Sequence, residues 1–333
     1  MELKTVVLAL LMLACLLPLG TLGEARQAAG NSTGGQGGLL IIVTFPCLKY
    51  DVELLACEGD RVVSLLPQGA DPHQYQLTPD DVRLLEDADL IISTGHTTFE
   101  VKIRELVGEG EIGARLVEIP SIPGLRLLRN PSTGQVNYHM PIYDPGNYRA
   151  FMAYLASVLS ELRPGAAGEY RAKLSRVLRK LDELLEEAPK LKARAVADLP
   201  VVQYAVSWLG VEVSFLVVKE PGVPATPGDL MRIEEAMSRG DVDLVVLSEP
   251  VVSSASERLR ELASEHGLPI LYVPSPLRAC STLDKLSAIV EQVRALGRAG
   301  QAPGASPPEA ILILVTSLLV AGTLTAVAIH ARD

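Results

Sequence analysis

The chain has 333 residues, room for about two domains, and 48% of them are hydrophobic, so large cores can be buried. Its formal net charge of -10 excludes the basic footprint of a nucleic-acid-binding protein. An acidic surface is compatible with cations but does not require them.

The first 25 residues place Lys4 ahead of an apolar run that reaches Leu19 and then small residues, the order of a secretory signal peptide over 1–25. A first transmembrane anchor is the weaker alternative. A lipoprotein reading of Met12-Leu13-Ala14-Cys15 is poor, because apolar residues continue past the cysteine. Residues 26–38 form a flexible segment, GNSTGGQGG within it, with a glycosylation sequon at Asn31-Ser32-Thr33.

LLIIVTFP (39–46) is an apolar run stopped by proline, which predicts a buried strand. KYDVELLACEG predicts a helix with Gly59 as its stop, and DRVVSLLP a second strand. TPDDVRLLEDA opens with a threonine cap, a proline in the first turn and early acids, a strong helix start. DLIIST, FEVKIRELVGEG and ARLVEIP predict a third strand, a third helix and a fourth strand. Such alternation with continuously apolar strands means a parallel sheet covered on both faces, here in a lobe spanning 39–143.

Residues 144–192 predict a helical linker interrupted only at Arg163-Pro164-Gly165. Its second half keeps leucine at helical spacing (Leu174, Leu178, Leu181, Leu185) and is over ~30 Å long. Alternation resumes over 193–296 with ARAVAD, PVVQYAVSWLG ended by Gly210, VEVSFLVV, TPGDLMRIEEAMSRG, DVDLVVLSE, SASERLRELASEHG, LPILYVP and STLDKLSAIVEQVRALG. The fold class is α/β: two similar lobes with parallel sheets joined by a long helical connector. Ligands of such halves bind at the C-terminal ends of the strands. Residues 297–309 are a Gly/Pro/Ser-rich tether, and 310–330 hold an uncharged run long enough, at ~20 residues, for a C-terminal transmembrane anchor. The mature protein is therefore expected on the extracellular face of the cell membrane.

Outside the signal peptide stand Cys47, Cys57 and Cys280, an odd number. Cys47 and Cys57 are expected at opposite ends of one helix, ~15 Å apart and too far to bridge. A bond from either to Cys280 stays open beside the alternative of buried free thiols.

Of the five histidines, His266 precedes Gly267 at a helix end and His330 lies at the membrane exit. His73, His96 and His139 all follow strands or sit in loops of the first lobe. Imidazole is the commonest protein ligand of Zn²⁺ and suits first-row metals. The spacing carries little by itself, since no pair has the tight interval of a structural zinc site.

The stretch VTFPCLKYDVELLACEGDRVVSLLPQGADPHQYQLTPDDVRLLEDADLIISTG, followed by Glu100, resembles the first lobe of the extracytoplasmic zinc- and manganese-binding proteins of ABC importers. DPH-x-Y-x-x-TP-x-D and ADL-x-I-x-x-G are its specific markers. The helix after Asp144-Pro145-x-Asn147 resembles that family's rigid linker, and QYAVSWLG its later Y-x-x-x-x-x-G segment. The resemblance covers about residues 40–296. It implies a monomer that captures Zn or Mn between its lobes and delivers it to a permease with its ATPase, with no organic cofactor.

The resemblance also implies a ligand set. His73 matches the family's first histidine and His139 its second, although HMPIYDP is one residue longer than the family's H-x-W-L-D-P. The third and fourth ligand positions fall on Leu199 and Ser275, which cannot replace a histidine and a carboxylate. His96 stands where the family has a small or apolar residue, and can compensate. A set of His73, His96 and His139 keeps the ligands in one lobe, completed by water or by Asp198 or Glu249 from the second. Glu100 is expected to support the helix start rather than to ligate. Two other readings are weighed: the same fold binding a metal chelate or a siderophore- or cobalamin-like molecule, and a surface metal-dependent hydrolase. The second lacks a nucleophile elbow and a visible general base, and the chain is read as a non-enzyme.

Overall fold

The computed structural model describes residues 37–220, 223, 225–251 and 253–299. The signal peptide, most of the flexible segment, the C-terminal run at 310–330 and His330 lie outside the described residues. No helix among those described is long and apolar enough to cross a membrane.

The first lobe alternates strictly: β1 (Leu40–Val43), α1 (Pro46–Glu53), β2 (Arg61–Ser64), α2 (Pro79–Glu86), β3 (Leu90–Ser93), α3 (Thr98–Gly108) and β4 (Arg115–Glu118). Its strands pair in parallel in the order β2-β1-β3-β4. Two helices follow, α4 (Pro145–Leu162) and α5 (Ala167–Glu187), broken at Arg163 and a short turn over Pro164–Ala166. At 1.5 Å per residue α5 is about 31 Å long. The second lobe repeats the pattern: β5 (Ala193–Ala197), α6 (Val202–Ser207), β6 (Val211–Leu216), α7 (Pro227–Ser238), β7 (Leu244–Glu249), α8 (Ser254–Glu265), β8 (Ile270–Pro274) and α9 (Thr282–Ala299). Its parallel order is β6-β5-β7-β8.

The helix starts read from sequence have the expected physical cause. Thr78 and Thr226 each cap a helix through a reciprocal box with Asp81 and Asp229, and proline fills the first helical position of both. Gly210 ends the α6 turn at φ +84°, and a Cβ there would stand 2.1 Å from the Leu191 carbonyl oxygen, so only glycine fits.

The ends of several elements differ from the sequence reading. The run LLIIVTFP forms a strand only to Val43, because Thr44 and Phe45 stay buried while the chain turns and Pro46 opens α1. Helix α1 stops at Glu53, so Cys57 lies beyond it and the single-helix separation from Cys47 does not apply. All three cysteines are free. Helix α9 runs to Ala299, into the expected tether.

Helix α9 also ties the two lobes together. The Thr282 N–H and hydroxyl donate to buried Asp51 of α1 at 2.8 and 2.7 Å, and the Tyr148 hydroxyl of α4 donates at 3.0 Å. Beside them buried Lys285 donates to the Pro276 carbonyl at 3.0 Å. Tyr143, fully buried, donates to the Pro274 carbonyl at 2.8 Å. The segment leading into α4 is thus held by the second lobe.

Candidate metal centre

In each sheet the strand order reverses at the first strand, and in open α/β sheets ligands bind at such a reversal, outside the C-terminal ends of the strands. In the first lobe the loop after β3 carries His96. The connection from β2 to α2 carries His73, and the passage from β4 to α4 carries His139.

His73 owes its position to the residues around it. The Asp71 side chain accepts the His73 N–H at 2.9 Å, a local turn of the kind Asp favours, and also holds Gln74. Tyr75 donates to Asp81 at 2.9 Å and meets Phe99 edge-on with ring centroids 5.2 Å apart. The motif GADPHQYQLTPDD is therefore a turn pinned to the start of α2, with the His73 ring left exposed.

His96 is held through a buried carboxylate. Glu100 is 1% exposed and accepts from Thr44, Ser93, Thr94, His96 and Thr97. Burial by itself raises its pKa, but the Thr44 and Thr94 hydrogen bonds and nearby His96 turn the shift downward. An ionised carboxylate only accepts, so the Thr94 hydroxyl donates its proton to Glu100 at 2.7 Å. The same oxygen lies 3.0 Å from His96 Nδ1 and can only accept there. His96 is thereby fixed with Nδ1 protonated and Nε2 free to ligate.

His139 follows the same logic with an amide. Asn137 Oδ1 accepts the His139 N–H at 3.0 Å and lies 3.1 Å from Nδ1 of the ring. The ring's Nε2 is buried and has no hydrogen-bond partner, a costly state for a polar atom unless a ligand meets it. Met140 follows at φ 49°, the only positive value among described non-glycine residues. This left-handed turn sits where HMPIYDP is one residue longer than the resembling pattern.

The three rings converge. Centroids are 6.0 Å apart for His73 and His96, 6.4 Å for His73 and His139, and 5.1 Å for His96 and His139. One ligating nitrogen from each lies within 4.8 Å of the others. Two nitrogens on a tetrahedral zinc stand about 3.3 Å apart, so closure asks for at most about 1.5 Å of movement, within reach of an exposed ring. Burial pushes the His139 ring down to about 3, and the neighbouring imidazoles of His96 and His73 push it the same way. Burial also lowers His96, against the opposing charge of Glu100. Both rings are neutral at pH 7, the state a metal requires.

The other sequence candidates stand elsewhere. Asp198, fully buried at the end of β5, accepts the Ser248 N–H at 3.0 Å, the Ser248 hydroxyl at 2.8 Å and the Ser256 hydroxyl at 3.1 Å. It joins strand and helix in its lobe as Thr44 and Glu100 do in the first, with the carboxylate on the strand side instead. Glu249 is exposed at the end of β7 and its carbonyl accepts from Ser275. Neither joins the histidine group. His266 caps the end of α8.

Two supporting residues escaped the sequence reading, Thr94 and Asn137. A shared signal would have found them. Each of the three histidines has an oxygen-bearing side chain two residues earlier, Asp71, Thr94 and Asn137, and each of those bonds its histidine.

Comparison with known proteins places the chain in a family. Residues 41–288 match the family model described as ZnuA, zinc-uptake complex component A, periplasmic. The chain is 30% identical over 165 residues to the manganese-binding lipoprotein MntA of Halalkalibacterium halodurans, covering 49% of this chain and 53% of that protein. It is 29% identical over 177 residues to the zinc-binding protein TroA of Treponema pallidum, covering 51% and 55%. The chain thus spans about half the length of the curated relatives it matches. Among solved structures, a ZnuA crystal structure superposes with a TM-score of 0.62 at 20% identity, over 77% of this chain and 98% of that one. The binding protein FpvC of Pseudomonas aeruginosa in complex with Mn²⁺ gives 0.65 at 19% identity, over 79% and 99%. These two show a shared fold.

Proposed function

The chain belongs to the family of zinc-uptake complex component A, and on that premise we propose that it captures a divalent transition metal outside the cell for an ABC importer. The convergence of His73, His96 and His139 around an unpartnered, buried Nε2 carries this reading. The proposed ligands are these three imidazoles alone, with the fourth position left to water. Asp198 keeps its bonds to Ser248 and Ser256 and Glu249 stays exposed, so neither is needed.

Zn²⁺ is the better fit of the two expected metals. Three neutral nitrogens suit zinc, whereas Mn²⁺ is harder, binds more weakly to such donors and prefers carboxylate oxygen. The metal is cargo, and no catalytic step is assigned to the site. Handover to a permease and its ATPase, action as a monomer, and tethering through residues 310–330 to the extracellular face complete the proposal. Equilibrium titration of the purified protein tests it. One tightly held zinc per chain, released intact to a chelator, is expected; a chain that retains no metal would overturn the reading.

A further inference from the structure

The motif QYAVSWLG has a role that metal ligation does not use. Its first two residues, Gln203 and Tyr204, stand in α6 of the second lobe and reach the segment that carries His139. The Tyr204 hydroxyl donates to the Asn137 carbonyl at 2.6 Å and accepts the Leu128 N–H at 2.8 Å. Gln203 Nε2 donates to the Arg129 carbonyl at 2.8 Å. Asn137 answers across the same boundary: its Nδ2 donates to the Pro200 carbonyl at 2.8 Å and to Gln203 Oε1 at 2.9 Å.

These bonds determine which way the Asn137 amide faces. Asn137 is 1% exposed, and both protons of its Nδ2 are taken by carbonyl-type oxygens of the second lobe. Only Oδ1 is left for His139, as an acceptor for the backbone N–H at 3.0 Å and for ring Nδ1 at 3.1 Å. The ring must then carry its proton on Nδ1, and Nε2 holds the lone pair. If the start of α6 moves away, both Nδ2 protons lose their acceptors and only the His139 N–H still orients the amide; a turned amide would set its NH₂ group against Nδ1 and favour the opposite tautomer.

We propose that Asn137 is a positioning residue that fixes His139 as an Nε2 donor only while the start of α6 is docked against it. The second lobe would then control the metal centre without contributing a ligand. A displacement of α6 disarms one of three donors, which offers a route to release. The His139 tautomer is set by hydrogen bonds alone; only its consequence for release rests on the function proposed above.

Nitrogen NMR of histidine-labelled, metal-free protein reads the tautomer directly. In the unaltered chain His139 should be in the Nδ1–H form. Asn137→Ala should turn it into a mixture, and Gln203→Ala with Tyr204→Phe, which leaves only the Pro200 carbonyl to hold Nδ2, should shift it part of the way. If Asn137→Ala fails to fold, Asn137→Asp keeps the acceptor and should retain the Nδ1–H form. An Nε2–H ring in the unaltered protein, or an unchanged tautomer in the Gln203/Tyr204 variant, would overturn the inference. A chelator-chase of zinc-loaded protein adds the consequence. The Gln203/Tyr204 variant should release metal about 10–100-fold faster, the range seen when a supporting hydrogen bond to a ligand is lost. A changed tautomer with unchanged release would refute His139 as a ligand and leave the positioning role intact.

Discussion

Thr94 accepts the ring proton of His96 across 3.0 Å, because its own proton is held by Glu100 at 2.7 Å. This chain of carboxylate, hydroxyl and imidazole fixes the His96 tautomer through the protein's own groups. Thr94→Val removes the acceptor and leaves Glu100 short of one buried donor. Zinc affinity should fall about tenfold, and unfolding free energy by about 1–3 kcal/mol. Thr94→Ser should restore both. Calorimetric titration and urea denaturation measure the two effects, and a Thr94→Val protein that binds zinc normally would break the link.

His96 itself separates a one-lobe site from the two-lobe arrangement implied by resemblance. His96→Ala should weaken zinc binding by more than the ~10–100-fold expected of a merely supporting residue. Asp198→Asn should leave affinity unchanged while destabilising the second lobe by about 1–3 kcal/mol, since Ser248 and Ser256 lose a buried acceptor. Glu249→Gln should alter neither. Affinity lost in Asp198→Asn with stability retained would instead place that carboxylate on the metal.

Acid should destabilise the metal-free protein through His139. Its ring is pushed down to about 3 by burial, whereas an unfolded histidine titrates near ~6.5. Between those values the unfolded chain binds a proton that the folded chain refuses, so this contribution falls as pH drops from ~6.5 toward 3. Asp51 works in the opposite direction: burial raises its carboxyl to about 6, so its share of stability rises as pH falls through that value. Comparing His139→Gln with the unaltered protein isolates the histidine. The difference in unfolding free energy between pH 7 and pH 5 should be smaller in the variant; an equal slope would mean that His139 titrates normally.

The sequence carried the fold well where the signal is local. Apolar runs gave the strands, and Thr78 and Thr226 with proline behind them gave two helix starts that the structure reproduces as reciprocal caps. Strand ends were less legible, because Thr44 and Phe45 are buried for packing beyond the strand and look like more of it. The three histidines could be picked out, and their loops placed at one sheet edge. The fate of Asp198 could not, since its partners Ser248 and Ser256 are distant in sequence and meet it only through the β5–β7 pairing. Contacts such as Asp51 with Thr282, which bring the last helix back to the first, leave no local pattern at all.

X-ray absorption at the zinc edge of the stoichiometrically loaded protein tests the metal centre most directly. Three imidazole nitrogens at about 2.0–2.1 Å with one further light atom are expected, and one imidazole fewer in His96→Ala. A shell with two imidazoles or fewer in the unaltered protein, or one unchanged in His96→Ala, would contradict it.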